Sequence, residues 1–328
     1  MSLDSVLEKL VCILEEDGIE VRRDIFASNL TTYRLGGALK YLVFLKSELE
    51  IKLLSKRISE KYVGKILAKD VFILGNGSNV IVSDGGFDGL TFKLGGELAH
   101  VSDNLDTENQ ATDIKVQVGA GELLPKFART TVSNGIFGCG FYVGIPGSVG
   151  GAVAMNAGGH GKQTSDVLDS VKVLSLTTGN IKNYSNSECD FSYRHSIFKS
   201  TDLIYMATYN CEKGINNKYK KELDNIVKWR RENQPGGRNI GSVFQNSYDI
   251  SAGELIEKCS LKGFRIGGAY VSEKHANFIQ ADENTKAQDV VELIEYVRNS
   301  VKIQTGVELI NEVRYIGFKQ NGWSWRIY

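Results

Sequence analysis

Residues 140–159 form the glycine-rich run GFYVGIPGSVGGAVAMNAGG, which constrains the fold more than any other part of the sequence. Glycine lacks a Cβ atom, so this backbone can adopt positive φ angles and can approach a ligand closely. A flexible linker is the alternative interpretation, although linkers favour serine and glycine over the isoleucine, valine and methionine interleaved here. The run therefore predicts a loop that binds a ligand through its main chain.

The length and charge of the chain limit its class. With 328 residues and roughly 150 residues per typical domain, we expect two or three lobes with a cleft between them. Apolar residues make up 42% and charged residues 24%, as in an ordinary globular protein with a sizeable core. Basic and acidic side chains both number 39, so no overall field favours nucleic acid or an anionic membrane surface.

The N-terminal segment and the cysteines indicate a cytoplasmic protein. MSLDSVLEKLVCILEEDG carries acidic residues within its apolar periodicity, unlike a signal peptide, and no later apolar run approaches about 18 residues. The five cysteines are scattered and form no CxxC pair, so neither a disulfide framework nor a zinc site is predicted. Buried free thiols are the favoured interpretation.

Hydrophobic spacing predicts a mixed set of helices and strands. Apolar residues recur every three or four positions from Leu3 to Leu14, which predicts a helix ending near Gly18. A strand at 41–45 and a helix opened by Ser47 should follow. Residues 71–180 contain short β-rich runs separated by glycine clusters, including a hairpin formed by VKVLSL and NIKNY.

A second lobe is expected from about residue 200. Its predicted elements are a strand in LIYMATYNCE, a helix in KYKKELDNIVKWRREN, and a short helix in AGELIEKC. A long helix should begin at Thr285, with Gln288 completing a capping box, and lead into a terminal strand at 307–317.

Three glycine motifs resemble nucleotide-binding loops but lack the residues or the following helix that such loops require. GNGSNV (75–80) lacks a third glycine and runs into a strand, whereas a Rossmann loop must open a helix. GAG (119–121) has no third glycine, so a structural turn is favoured there. GGHGKQT (158–164) lacks the first P-loop glycine and has Gln163 where the magnesium-binding hydroxyl belongs, which argues against nucleotide hydrolysis.

Two glycine loops, 75–79 and 144–151, remain, and each lies next to a β run. Successive main-chain N–H groups in such loops can form anion-binding nests that neutralise a diphosphate without basic side chains. A flavin dinucleotide fits this requirement.

Six segments, in order, resemble the UDP-N-acetylenolpyruvoylglucosamine reductase (MurB) family. TTYRLGG (31–37) is also similar to the entry of that family's flavin domain, so the resemblance covers nearly the whole chain. The six segments are LGNGSNVIVSDGGFDGL (74–90), GIPGSVGGAVAMNAG (144–158), YRHSIF (193–198), GSVFQN (241–246), LKGFRIGGAYVSEKHANFI (261–279) and EVRYIG (312–317).

The resemblance implies an α+β fold with a flavin domain of the vanillyl-alcohol oxidase (PCMH) type, followed by a smaller α/β domain that binds the UDP-sugar. The flavin domain is expected at residues 1–200, with a small N-terminal lobe at 1–65 and a main lobe at 66–200, and the sugar-binding domain at 201–328. NADPH reduces FAD in this family, and the flavin then passes hydride to UDP-N-acetylglucosamine enolpyruvate, which gives UDP-N-acetylmuramate for peptidoglycan synthesis.

Three residues match the family's catalytic positions. Arg194 and Glu312 would stabilise the enolate that forms beside the substrate carboxylate, and Ser242 would donate a proton to the alpha carbon. Taken alone, Arg194 is more typical of a surface ion pair, Ser242 of a turn or cap, and Glu312 of a solvated strand. Glu312 gains support from sharing a predicted strand face with Ile310 and Ile316.

The remaining predicted contacts belong to the cofactor and the nucleotide-sugar. Tyr193, Asn246 and His275 are candidates for substrate binding, with packing or capping as the alternative. The predicted FAD contacts are Tyr33, Arg34, Gly75, Asn76, Gly77, Ser78, Asn79, Gly144, Ile145, Pro146, Gly147, Ser148, Gly151 and Asn156.

The chain departs from the family pattern before Ser242, where QPGGRNIGS replaces the expected proline-serine-alanine approach. The four histidines lie outside any flavin-attachment string, so FAD should bind non-covalently. NADPH as co-substrate rests on the resemblance alone. We expect a monomer of the compact subclass, without a metal, nucleic acid or membrane partner.

Two rival functions stay open. Another FAD oxidase or dehydrogenase of the same fold would keep both glycine loops but has no need of Arg194, Ser242 and Glu312 in these strings. A flavin-carrying regulatory module that has lost catalysis would not retain all three. A turnover assay distinguishes them.

Overall fold

The computed structural model describes residues 3–102, 113–214, 217–246 and 250–318, which contain helices and strands in the predicted mixed order. The helices are α1 (Leu3–Glu16), α2 (Glu48–Arg57), α3 (Leu124–Ser133), α4 (Val149–Ala154), α5 (Asn217–Asn233), α6 (Ala252–Lys258) and α7 (Ala287–Thr305). The strands are β1 (Glu20–Phe26), β2 (Ala38–Leu45), β3 (Val71–Ile73), β4 (Val80–Val82), β5 (Phe87–Leu94), β6 (Asp113–Gly119), β7 (Ile136–Phe137), β8 (Gly158–Gly159), β9 (Lys162–Gln163), β10 (Leu168–Ser175), β11 (Ile181–Ser185), β12 (Asp202–Lys213), β13 (Arg265–Ile266), β14 (Ala269–Val271), β15 (Ile279–Ala281) and β16 (Arg314–Ile316).

The chain divides into two compact units that interleave along the sequence. Unit 1 comprises Met1–Arg23, Tyr41–Asn76 and Gly89–Lys228, and unit 2 comprises Asp24–Lys40, Gly77–Asp88 and Trp229–Tyr328. The boundaries within secondary structure fall in β1, β2, β5 and α5. The boundaries of these units differ from the predicted division at residue 200. That division assigns FAD to residues 1–200 and the UDP-sugar to residues 201–328, and it stays a prediction.

A five-stranded sheet dominates unit 1. Its order is β11-β10-β12-β6, with β7 also paired to β12, and every pairing is antiparallel. The predicted hairpin is confirmed, because β10 pairs with β11 and Leu174 lies opposite Ile181. One core cluster contains Val116, Phe127 and Tyr209 and takes in α3 and α4. Helix α4 was not predicted, because its glycine-rich sequence lacks a long apolar period.

The N-terminal elements of unit 1 close a second core cluster. The helix predicted from Leu3 is confirmed as α1, and Leu10 and Leu14 are fully buried in this cluster. Ser47 caps α2 as predicted, since its side chain accepts a hydrogen bond from the Glu50 amide. A four-stranded sheet in the order β1-β2-β5-β3 supplies further apolar side chains, including Phe92.

Unit 2 combines a small antiparallel sheet with two helices. The sheet order is β13-β14-β15, and a separate parallel pair joins β16 to β4. Helices α6 and α7 cover one apolar core that includes Phe244, Leu293 and Val313. Burial of this core is the main stabilising contribution, because removing apolar surface from water drives folding.

Two predicted details in unit 2 are wrong. Helix α7 begins at Ala287, not Thr285, and the carboxylate of Asp84 accepts hydrogen bonds from Ala287 N at 2.9 Å and Gln288 N at 3.1 Å. A cap 203 residues distant in sequence has no local signature. The terminal strand extends only over β16, and Ile310 is 57% exposed, so the shared inward face proposed for Glu312 does not exist.

Other sequence expectations concern membranes, metals and thiols. No helix of the described ranges has the length and apolar character needed to cross a bilayer. In the same part of the chain, no group of three or more histidine, cysteine or acidic side chains is placed to hold a metal. All five cysteines are free thiols, and four are buried as predicted, whereas Cys12 is exposed.

Candidate functional site

The first glycine loop meets the second within unit 1. A Cβ atom on Gly75 would lie 2.4 Å from Ser148 Oγ, so a larger residue would displace the hydroxyl that accepts from Gly151 N. Asn76 Nδ2 donates to the Pro146 carbonyl at 3.4 Å, and Lys93 Nζ donates to the Gly75 carbonyl at 2.8 Å. The predicted cofactor residues Gly75, Asn76, Pro146 and Ser148 are therefore brought together.

Loop 144–151 uses most of its amides to hold its own shape. Gly147 N donates to the Ile145 carbonyl at 2.9 Å, and Gly150 N donates to the Ala120 carbonyl at 2.7 Å. Val149 N donates to the Glu122 carbonyl at 2.9 Å, and Gly151 N donates to Ser148 Oγ at 3.3 Å, which starts α4. These four amides have acceptors within the protein, so the proposed binding of an anion by this loop relies on its remaining main-chain donors, such as the Ser148 amide.

Residues 77–79 in unit 2 retain the properties of a nest. Gly77 has a φ of +65°, and its carbonyl accepts from Thr32 N at 3.1 Å and Thr32 Oγ1 at 3.2 Å. Across the described ranges, the main-chain N–H groups of Gly77, Ser78 and Asn79 have no protein acceptor. Three successive donors of this kind can bind an anion.

Tyr193 and Arg194 lie in a tight turn of unit 1 that Asn156 holds. Ser192 and His195 exchange main-chain hydrogen bonds across this turn, and Arg194 has a φ of +55°. Asn156 is 1% exposed, and its Nδ2 donates to the Ser192 carbonyl at 3.0 Å while its Oδ1 accepts from Ser165 N at 3.0 Å. Asn156 was predicted to contact FAD, but the protein already occupies both ends of its amide.

The Arg194 guanidinium lies 5.4 Å from the centre of the Tyr193 ring, in a cation–π contact. Tyr193 itself is 51% exposed, so its ring remains accessible to a ligand. A non-glycine residue with positive φ is uncommon and marks a backbone held by its surroundings. The turn therefore fixes the backbone from which the Arg194 side chain extends.

Ser242 lies on an extended segment of unit 2 that Asn277 clamps. Asn277 is 2% exposed, its Oδ1 accepts from Phe244 N at 2.9 Å, and its Nδ2 donates to the Phe244 carbonyl at 2.8 Å. The Asn277 carbonyl also accepts from Val243 N at 2.9 Å, and Ser242 bridges to Phe278. The Asn277 side-chain amide thus makes the two hydrogen bonds with Phe244 that the main chain of a neighbouring strand would otherwise make.

Glu312 lies on the other side of the same segment. Its amide donates to the Val243 carbonyl at 2.9 Å, so the backbones that carry Ser242 and Glu312 are adjacent. Asn79 Nδ2 donates to the Glu312 carbonyl at 3.0 Å. Unit 2 therefore brings together three predicted site residues: Ser242, Glu312 and Asn79.

Asn311 shapes the turn that contains Glu312. Its Oδ1 accepts from Val313 N at 2.8 Å, and its Nδ2 donates to the Tyr315 hydroxyl. Burial raises the pKa of Tyr315, so this hydroxyl stays protonated at neutral pH. The Asn311 side chain, which precedes Glu312, therefore hydrogen-bonds to two residues that follow Glu312.

The divergent loop before Ser242 is anchored to β15 and the turn that follows it. Gln280 Nε2 donates to the Gly236 carbonyl at 2.9 Å, and Ala281 N donates to the Arg238 carbonyl at 3.0 Å. Gly241 has a φ of +83°, and its amide donates to Asn239 Oδ1 at 3.0 Å. The unusual sequence thus supplies its own turn, with glycine where a positive φ is required.

Four other predicted residues lie in unit 2, and three of them have structural roles. The Tyr33 ring is buried and its hydroxyl donates to the Ile279 carbonyl at 2.9 Å, while burial raises its pKa. Asn246 Oδ1 accepts from Ala252 N at 3.1 Å, near the start of α6. His275 Nδ1 accepts from Asn277 N at 3.2 Å, and burial lowers its pKa. Arg34 is exposed and lines an open cleft of about 800 Å³ with Thr31, Thr32, Gly237, Arg238, Tyr270, Gln280, Ala281, Asp282 and Glu283.

Sequence reasoning missed three residues of these sites: Lys93, Asn277 and Asn311. A half-buried lysine with a carbonyl partner has no local pattern, and asparagine in a loop usually indicates only a turn. The adjacent strings HANFI and NEVR were recognised, but nothing in them distinguishes a clamp from a solvated side chain.

Comparison with known proteins gives matches on both halves of the chain. Residues 233–316 match the family described as UDP-N-acetylenolpyruvoylglucosamine reductase, C-terminal domain, and residues 40–185 match the family described as FAD binding domain. The UDP-N-acetylenolpyruvoylglucosamine reductase of Halalkalibacterium halodurans is 37% identical over 300 residues, which cover 91% of this chain and 95% of that protein. The enzyme of the same name from Lactobacillus acidophilus is 36% identical over 310 residues, with 94% and 98% covered.

Solved structures show the same similarity in three dimensions. UDP-N-acetylenolpyruvylglucosamine reductase (MurB) from Thermus caldophilus superposes with a TM-score of 0.74 and 29% identity, covering 91% of this chain and 99% of that one. 6-Hydroxy-D-nicotine oxidase from Arthrobacter nicotinovorans superposes with a TM-score of 0.50 and 10% identity, covering 90% and 89%. The second match supports only the fold, and it agrees with the predicted PCMH-type flavin domain.

Proposed function

The chain belongs to the UDP-N-acetylenolpyruvoylglucosamine reductase family, and on that premise we propose how its residues carry out the reaction. The protein is an FAD-dependent oxidoreductase that uses NADPH to reduce UDP-N-acetylglucosamine enolpyruvate to UDP-N-acetylmuramate, a step of peptidoglycan synthesis. The observation that carries this conclusion is the identity of 36% to 37% with named reductases over more than nine-tenths of the chain.

The glycine loops fit a dinucleotide diphosphate. A side chain on Gly75 would displace the Ser148 hydroxyl, and the amides of residues 77–79 have no acceptor in the described ranges and are available for an anion. We assign FAD binding to residues 75–79 and to Gly144, Ile145, Pro146, Gly147, Ser148 and Gly151. Tyr33, Arg34 and Asn156 stay proposed contacts, and the side chains of Tyr33 and Asn156 also hydrogen-bond to the surrounding backbone. Bound there, FAD would supply the hydride-transfer chemistry between NADPH and the enol ether.

Arg194 is proposed to bind the substrate carboxylate. Negative charge grows on the carboxylate-bearing carbon when the methylene carbon gains hydride, and a fixed guanidinium stabilises that charge. The positive φ of Arg194 and the Asn156 hydrogen bond to its turn support this role, because they fix the backbone before substrate arrives.

Ser242 is proposed to donate the proton to the alpha carbon, with Glu312 as the hydrogen-bonding acid beside it. Serine is a weak acid, so it needs positive charge and a positioned partner to act as a donor. The adjacency of the two backbones, through the 2.9 Å Glu312 N to Val243 O hydrogen bond, supports this pairing. Tyr193, Asn246 and His275 remain proposed contacts of the nucleotide-sugar.

The broader assignments are also proposals. A flavin-binding part at 1–200 and a sugar-binding part at 201–328 agree with the two family matches, which fall on either side of residue 200. We also propose that the protein acts as a monomer in the cytoplasm. Its balanced charge gives no overall field that would recruit nucleic acid or an anionic membrane.

The assay follows NADPH oxidation by the purified flavoprotein, with and without UDP-N-acetylglucosamine enolpyruvate, in wild type, Ser242→Ala and the control Ser133→Ala. Ser133 is exposed and donates only to the Thr130 carbonyl, so its variant should match wild type. Ser242→Ala should still reduce its flavin with NADPH but should fail to form product. A flavin that ignores the sugar and is reoxidised by oxygen would instead indicate an oxidase of the same fold.

A further inference from the structure

Lys93 is a half-buried lysine at the junction of the two glycine loops in unit 1. It lies near the end of β5, and its Nζ donates to the Gly75 carbonyl at 2.8 Å. Among the residues that the structure describes, no carboxylate forms an ion pair with it. A carbonyl oxygen carries only partial negative charge, so the ammonium is incompletely compensated.

Burial of this ammonium is unfavourable without an anion. Desolvation lowers the pKa of Lys93, which shows that its surroundings disfavour the charged form. A buried charge is normally paired, because the free energy lost by removing it from water exceeds the stabilisation that one carbonyl dipole provides. The site is therefore suited to an anionic ligand that approaches Lys93.

The same junction presents main-chain donors without acceptors. The amides of Gly75, Asn76 and Ser148 form no hydrogen bond to any residue in the described ranges. Gly75 and Ser148 are in direct contact, because a Cβ atom added to Gly75 would lie only 2.4 Å from Ser148 Oγ. Three amides and one ammonium thus lie around the two loops.

The loops themselves contain no positive charge. Neither GNGSN (75–79) nor GIPGSVGG (144–151) includes lysine, arginine or histidine. Amide dipoles can hydrogen-bond to phosphate oxygens, but a diphosphate carries net charge that a fixed cation neutralises more completely. Lys93 comes from a neighbouring strand and supplies that cation.

We propose that Lys93 binds the diphosphate of the dinucleotide cofactor and provides the positive charge that the glycine loops lack. This inference rests on the proposed function, because it takes FAD as the ligand of these loops. It assigns to Lys93 a role in cofactor affinity, with no part in hydride or proton transfer.

The test measures FAD dissociation from the purified holoenzyme by the recovery of flavin fluorescence on dilution. Lys93→Met and Lys93→Gln should each raise the FAD Kd by about tenfold or more, and Lys93→Arg should stay within about threefold of wild type. The control Lys52→Met removes an exposed lysine of α2 and should leave the Kd unchanged. Increasing salt should weaken FAD binding less in Lys93→Gln than in wild type.

Lys93→Gln separates charge from local structure, because its amide can still donate to the Gly75 carbonyl. If this variant binds FAD as tightly as wild type, the charge is not required and the proposal is overturned. If Lys93→Arg is as weak as Lys93→Met, a fixed positive charge does not account for the affinity, and the proposal also fails. A wild-type protein that purifies without flavin and binds none would refute the proposed function itself, before any variant is compared.

Discussion

Substitution of Asn277 by alanine should destabilise unit 2, because, among the described residues, its side chain supplies the partners of both main-chain groups of Phe244. Asn277 is 2% exposed and Phe244 is 1% exposed, so the Phe244 N–H and carbonyl would be left buried without partners. Each unsatisfied buried group costs about 1–3 kcal/mol, and we expect a total loss of about 3 kcal/mol after partial relaxation. With a urea m value of about 3 kcal/mol/M for a protein of this size, the unfolding midpoint should fall by about 1 M.

Urea titration followed by tryptophan fluorescence measures this loss, because Trp229 belongs to unit 2. The matched control is Asn233→Ala, which removes an exposed amide that donates to the Trp229 carbonyl at 2.7 Å. Its midpoint should stay within the equivalent of about 0.5 kcal/mol of wild type. An Asn277→Ala midpoint equal to that of the control would mean that Phe244 finds other partners, and the clamp would be refuted.

Three further substitutions test other parts of unit 2. Asn311→Ala should slow product formation by about 10- to 100-fold, because the turn around Glu312 loses its support. Flavin reduction by NADPH should stay unchanged in stopped-flow traces, and equal losses in both half-reactions would contradict this prediction. His275→Gln should change the pH dependence of the melting temperature: burial lowers the His275 pKa below 6.5, so wild type is stabilised above that pH and loses this stability as the pH falls through the folded-state pKa. The difference between His275→Gln and wild type should therefore change between about pH 7.5 and about pH 5, and a constant difference would refute the assignment. Asp84→Ala should cost about 1–2 kcal/mol by removing both hydrogen bonds that cap α7, whereas Asp84→Asn should cost less; equal urea midpoints for Asp84→Ala and wild type would show that solvent replaces the cap.

Sequence reasoning predicted the elements whose signals are local. Helices α1 and α2 and the β10–β11 hairpin follow from apolar spacing, a serine cap and a glycine-containing turn, all within a few residues. It failed where the decisive contact is distant in sequence. The Asp84 cap of α7 and the shortened β16, whose pairing with β4 is parallel, have no signature within their own segments.

The candidate site shows the same division. Ordered motifs located Ser242 and Glu312 on segments that the structure places side by side. The same motifs proposed Asn156 and Tyr33 as cofactor contacts, and the structure shows in addition that the Asn156 side chain holds a turn and that the Tyr33 hydroxyl donates to the Ile279 carbonyl. Polar residues within a motif do not reveal whether they touch a ligand or support the residue that does, because both roles need a fixed amide or hydroxyl.

The interleaving of the two units also affects how the protein can be made. Strand β4 is translated well before its partner β16, which lies at residues Arg314–Ile316, so that pairing must wait until β16 has left the ribosome. Unit 2 contains residues from three separate stretches of the sequence, so no contiguous fragment of the chain contains unit 2 without parts of unit 1. Expression of either half from a contiguous fragment would expose unpaired strand edges, which favour aggregation. Nascent chains that stall before β16 should accordingly depend on chaperones to remain competent for folding.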